Sequence, residues 1–219
     1  AAFLVASFAS NEWMTLLAWL HQTPFPATDP VLGYNAAFYV FSLPALELVR
    51  GLLFALVLLA AAGVGAIYFV TGQVALTPFG LRIDDHARRH LCWLAAALFL
   101  VLALGAWLGR AEELIEASGI IHGPNYADVY GRMPAALAVT AAALLAAGLS
   151  AASSFTRSYR RLIIGVIVYA LALFGGDVWR HAVTDDQHQR DAVAPGSQQR
   201  MKRQAQCLRL GVPQRDVTQ

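Results

Sequence analysis

His86 and His90 stand four residues apart, with Asp85 beside them. On a helix this spacing sets both imidazoles on one face, as a metal or haem-type ligand pair requires. Arg88 and Arg89 crowd the same segment and oppose a bound cation, and no third His or Cys is near. The other reading is a solvated interface just before an apolar run. A second constellation lies in 123–134. Gly123 opens it, Tyr126 and Tyr130 are four apart, Asp128 and Arg132 share the neighbouring face, and Pro134 closes it. These residues suit either a small binding pocket at a membrane edge or a structural clasp. In the clasp Asp128 caps or pairs, the tyrosines sit at the interface and Pro134 starts the next helix.

Beyond these the chain carries no Walker loop, no H-E-x-x-H and no G-x-S-x-G. Its two cysteines, Cys92 and Cys207, form no C-x-x-C pair, so a zinc ribbon or thioredoxin-like site is not expected. His21, His122, His181 and His188 fall in polar segments, where one could hold a group only at a membrane surface. The expectation is a non-enzyme without resident metal or cofactor. A lipid or pigment bound at the membrane surface stays open.

The elements that must position these residues are read from hydropathy. Hydrophobic residues make up 58% of the 219, and only 14% are charged, against about 25% in soluble domains. Four apolar stretches cover 49–69, 91–108, 135–150 and 162–176. Beyond Arg50, at the start of the first, none holds Asp, Glu, Lys, Arg or His. A hydrocarbon core of about 30 Å takes roughly 20 helical residues. Only a closed backbone ladder survives in lipid, so the stretches read as spanning helices. With no charge in their interiors, they offer little to a proton-coupled pathway. A net charge of +2 argues against a nucleic-acid partner.

Charge in the polar segments sets an orientation. Residues 71–90 carry Arg82, Arg88 and Arg89 against Asp84 and Asp85, and 156–161 carry Arg157, Arg160 and Arg161 with no acid. Residues 11–48 hold no Lys or Arg, and 109–134 hold more acids than bases. Because Lys and Arg concentrate on the cytoplasmic side, the first pair faces inward and the second outward. The carboxyl tail is then extracytoplasmic. Its seven Lys or Arg are a weak counter-signal, since it is long and also carries acids.

Along the chain, 1–9 reads as the end of a membrane helix whose beginning is missing. Residues 10–48 read as an outward amphipathic helix and loop. Trp13, Leu16, Leu17 and Leu20 lie at helical spacing, and the prolines of 23–30 stop that helix. Phe38, Tyr39 and Phe41 form an aromatic cluster. Ser42 is positioned to cap the first span, Pro44 fits its first turn, and Glu47 can pair with Arg50. Residues 49–178 read as the four-helix membrane region, with an ordered outward loop at 109–134. Gly105-x-x-x-Gly109 and Ala61-x-x-x-Gly65 suit either a dimer face or packing within the chain. After Gly175 and Gly176 the composition turns polar, and 179–219 read as a tail with a short helix near Met201, Ala205 and Leu208. No internal repeat is expected.

Two segments carry a resemblance. One is 28–44, with Asp29, Pro30, Gly33, Phe38, Tyr39 and Pro44. The other is 123–134, with Gly123, Tyr126, Asp128, Arg132 and Pro134. Both resemble signature stretches of a large bacterial membrane-protein family, uncharacterised protein family 0182, over about 1–178. The resemblance implies longer proteins with roughly seven amino-terminal spans and a large extracytoplasmic domain, and supports a bacterial inner membrane and an outward tail. From Arg180 the chain is expected to depart from the family pattern. The fold expected is an all-α polytopic membrane bundle, with four full transmembrane helices and an amphipathic interfacial helix. The expected partners are the bilayer and other membrane-protein subunits. The expected role is a structural or accessory subunit of a larger bacterial membrane complex, energy-transducing in one version. The alternative is a transport module.

Overall fold

A computed structural model describes residues 12–77, 80–115, 128–156 and 160–193. The short helix α1 (Trp13–Leu20) comes first. The long helices α2 (Leu43–Val70), α3 (Asp85–Ile115), α4 (Met133–Phe155) and α5 (Arg160–Val193) follow. All four are long and apolar enough to cross a membrane. The fold is an all-α helical bundle, as the hydropathy implies. The end of a truncated helix expected at 1–9 and the short helix near Met201 lie outside the described residues.

The helices pack largely in series. α4 lies between α3 and α5, while α2 leans on α3. Alanines decide this order. Ala142, Ala143, Ala146 and Ala147 are all buried along α4, and small side chains let backbones approach where lipid supplies no hydrophobic drive. Phe99 of α3 and Tyr169 of α5 pack against Ala146 and Ala147, their own rings meeting edge to face with centroids 5.4 Å apart. The approach is close at Gly165, where a Cβ would lie 3.1 Å from the Ala146 Cα. Only 6% of the most apolar stretch of α2, and 6% of that of α5, is buried inside the chain, against 33% for α3 and 28% for α4. The outer helices therefore present their apolar surface outward.

Two features depart from the sequence reading. The polar connection after α2 holds a two-stranded antiparallel hairpin, β1 (Val74–Thr77) with β2 (Gly80–Ile83). Gly72, at φ +72°, turns the chain out of α2 into it, a conformation glycine adopts without a Cβ penalty. The second departure is at Gly175 and Gly176, which do not end α5. Gly176 faces Ala135 and Val139 of α4, and the helix runs on to Val193. At 1.5 Å per residue it is about 51 Å long, beyond a hydrocarbon core of about 30 Å.

Ser42 does not cap α2. The helix is already under way in a π-helical turn, Phe38–Ser42, and the Leu43 amide bonds back to the Phe38 carbonyl. Proline has no N–H and its ring crowds the carbonyl four residues back, so a widened turn ahead of Pro44 accommodates both defects. The Ser42 hydroxyl instead donates to Gln22 Oε1 at 3.0 Å. A second π-helical turn, Asp128–Arg132, precedes Met133 and Pro134 in the same way. Each proline also follows an asparagine by nine residues, Asn35 before Pro44 and Asn125 before Pro134. The two helix entrances are thus a local repeat that the sequence reading missed.

Candidate functional site

Both π-helical turns sit at one end of the bundle, with the end of α3 and the second half of α5. The loop before α2 is built around two side chains. Asp29 Oδ2 accepts from the Leu32 amide at 2.7 Å and the Tyr39 hydroxyl at 2.8 Å, and Oδ1 accepts from the Val31 amide at 3.1 Å. Pro30 leads the turn, and Gly33, at φ +73°, closes it by donating its amide to the Asp29 carbonyl at 3.0 Å. Burial pushes the Asp29 carboxyl up, but these three donors outweigh it and hold its pKa below the ordinary value. Asn35 ties the loop across: its side chain exchanges bonds with the Phe25 amide and carbonyl and accepts from the Ala37 amide at 2.9 Å. Of the expected aromatic cluster, Phe38 and Tyr39 pack with Tyr34, the Tyr34 and Phe38 ring centroids 4.6 Å apart, while Phe41 stacks on Phe25 instead. Leu32, Phe38 and Tyr39 then pack on Leu43, Leu108 and Ala111.

Beside this clasp opens a crevice of about 770 Å³. Tyr39, Leu43, Pro44 and Glu47 wall it from the first entrance, Gly109, Glu112, Glu113 and Ile115 from α3, and Arg132 from the second. Arg132 Nε lies 2.5 Å from Glu113 Oε2. A smaller space of about 210 Å³ shares Gly109, Glu113 and Arg132 and extends to Gly176 and Arg180 on α5. Gly131 lets Val183 approach, and the Trp179 indole donates to the Tyr130 carbonyl at 3.4 Å. Arg180 pairs with Asp177 one turn away. Charges of both signs thus line a cleft whose walls are otherwise apolar, which suits a polar or zwitterionic guest and water.

The Gly105-x-x-x-Gly109 spacing finds its use here. Gly105 seats Arg50: a Cβ would meet the Arg50 side chain at 3.1 Å. Arg50 Nε in turn lies 2.6 Å from Glu47 Oε2, the pair expected from their spacing. Gly105 is three residues inside the second apolar stretch, so a guanidinium reaches the apolar layer from the neighbouring helix. That corrects the reading of uncharged span interiors. Gly109 lines the crevice, and among the described residues nothing lies within 4 Å of the Cβ position of Gly65.

The sequence thus finds Asp29, Pro30, Gly33, Phe38, Tyr39, Pro44, Gly105, Gly109 and Arg132 at one end of the bundle, and Pro134 opens α4 there. Gly123 and Tyr126 lie outside the described residues, and of Asp128 only the backbone, in the π-helical turn, is described. Asn35 and Tyr34 were missed, although an asparagine just ahead of an apolar helix is a capping signal. His86 and His90 lie at the other end. Tyr68 shares a 2.6 Å hydrogen bond with His90 Nδ1, and the His86 and His90 rings are 4.5 Å apart. Among the described residues no three His, Cys, Asp or Glu side chains converge as a metal site would require.

The family model of Uncharacterised protein family (UPF0182) matches residues 1–202. This chain belongs to that family. The match runs past Arg180, so the departure expected there does not begin at that residue. UPF0182 relatives include a protein of Synechococcus sp. (strain JA-3-3Ab), 38% identical over 63% of this chain and 16% of its own length. One from Geobacter sulfurreducens is 33% identical over 80% of this chain and 19% of its own. One from Kocuria rhizophila is 32% identical over 88% and 19%. The chain therefore spans less than a fifth of the length of these UPF0182 relatives. No solved structure matches it.

Proposed function

We propose that this chain is a structural, non-catalytic module of a larger bacterial membrane assembly, an accessory subunit held in the inner membrane. The observation that supports this most is the distribution of its apolar surface. α2 and α5 bury little of theirs within the chain, and α1 leaves Trp13, Met14, Leu17 and Leu20 exposed. These faces suit neighbouring helices as well as lipid. We place the crevice end and the extension of α5 on the extracytoplasmic side, because the opposite connections carry the excess of arginine. An energy-transducing complex, respiratory or photosynthetic, is one host for such a module. The proposal includes no resident cofactor, and it treats any lipid or pigment as held at the membrane surface.

The test is purification of the native protein in mild detergent, with mass spectrometry of everything that accompanies it. A stoichiometric set of membrane partners supports the accessory role. A lone monomer or homodimer sinks it.

One observation favours a second reading, a transport module. The crevice gathers Glu112, Glu113 and Arg132 around a cleft of about 770 Å³, and polar groups sunk between apolar helices often mark solute paths. Replacing Arg132 or Glu113 by Gln should then abolish solute flux while assembly persists. Lost assembly with no solute-specific defect would speak for the accessory role.

A further inference from the structure

At the end of the bundle opposite the crevice, a pocket of about 510 Å³ opens between the start of α3 and the end of α4. Its lining combines Arg88 and Arg89 with Trp93 and Phe155. We propose that it holds the headgroup phosphate of an anionic phospholipid from the adjacent leaflet.

Arg88 makes the pocket rigid. It is 5% exposed, and its Nη1 donates to the Ser153 carbonyl at 2.8 Å and to the Thr156 carbonyl. The guanidinium thus closes the carboxyl end of α4 and leaves a fixed positive charge in the pocket wall. Asp85, the one acid among the described lining residues, lies 3.3 Å from Arg88 Nη2. The next residue, Arg89, is exposed at the same pocket and free to turn toward a ligand. Arg161, at the start of α5, donates to Thr156 Oγ1 at 3.4 Å and adds a further charge beside the mouth.

The apolar half of the lining separates a lipid from a soluble anion. Trp93 is 53% exposed and Phe155 82%, yet their rings meet edge to face with centroids 6.4 Å apart. Such a pair at the end of a span belongs at headgroup depth, where aromatic rings bridge wet and dry layers. A phosphate on the arginines would leave the glycerol and first acyl carbons against these rings. Basic pockets between membrane helices bind anionic headgroups in this manner.

The test uses the full chain in mild detergent, supplemented with phosphatidylglycerol, phosphatidylcholine or inorganic phosphate. Phosphatidylglycerol should raise the melting temperature and stay bound in native mass spectrometry, while the other two should do neither. Arg89 is exposed, so Arg89→Gln should fold, and it should retain phosphatidylglycerol roughly fivefold less well, the share of one interfacial cation. Arg89→Lys should retain most of it. Three outcomes overturn the proposal. Equal stabilisation by inorganic phosphate would make this a free-anion site. Equal stabilisation by phosphatidylcholine would mean general solvation by lipid. Unchanged retention in Arg89→Gln would place the lipid elsewhere.

Discussion

Asp29 anchors the loop before α2 through three donated hydrogen bonds, and its charge state should be felt there. An ordinary carboxyl of this type titrates at 3.8. Burial alone would raise that value, but the Leu32 and Val31 amides and the Tyr39 hydroxyl lower it by more. A group held low in the folded state contributes stability above its unfolded pKa, and loses it as pH falls through the folded value. The clasp should therefore be constant from neutrality down to about pH 3.8 and loosen below that. Hydrogen exchange of the 31–37 amides measures this. Asp29→Asn should speed their exchange at pH 7, by about 1 kcal/mol of local stability, and abolish the acid step. Arg88 is the other residue with a large expected effect. Its guanidinium satisfies carbonyls that end a helix, and removing a buried charged donor costs about 2–4 kcal/mol. Arg88→Gln should lower the melting temperature accordingly, and Arg88→Lys should recover only part, since one ammonium cannot span the same acceptors. Neither role was legible beforehand. Asp29 read as a motif residue without a mechanism, and Arg88 as one charge in a polar connection, because its acceptors are about 65 residues away.

At the scale of elements, hydropathy locates the four long helices well, because lipid leaves the backbone no other way to satisfy itself. It does not locate how they begin. Ser42 followed by Pro44 looks like a helix start, yet the chain enters through a π-helical turn that extends the helix back to Phe38. Periodicity cannot separate the two, since one extra residue shifts the helical phase only upstream of the proline. Pro44→Ala restores an N–H and lets that turn tighten. The prediction is a rotation of Tyr39 away from Asp29, read as faster exchange of the 31–37 amides while α2 itself stays protected. Gly165 is hidden for another reason. It sits in an apolar run where any small residue would look equivalent, and only the fold brings the Ala146 backbone to 3.1 Å from its Cβ position. Gly165→Val should force α4 and α5 apart and lower the melting temperature, whereas Gly148→Val, whose Cβ position has nothing within 4 Å among the described residues, should not.

At the scale of the whole molecule the two ends differ in chemistry, and that difference makes the orientation testable. One end holds the Asp29 clasp, the crevice and the polar extension of α5. The other holds the hairpin, the Tyr68–His90 bond and the arginines near the α4–α5 connection. The odd number of crossings between any residue of one group and any residue of the other follows from the four helices alone. We propose that the arginine-rich group faces the cytoplasm, since arginine close to a span end resists translocation. Single cysteines placed at Gln22, Asp84, Arg160 and Asp185 in a Cys92→Ala, Cys207→Ala background read this out. An impermeant thiol reagent added to spheroplasts should label positions 22 and 185 and spare 84 and 160 until the membrane is opened. The reverse pattern would invert the orientation. It would leave the fold untouched, and it would move the crevice to the cytoplasmic face, where its charges would meet a different set of partners.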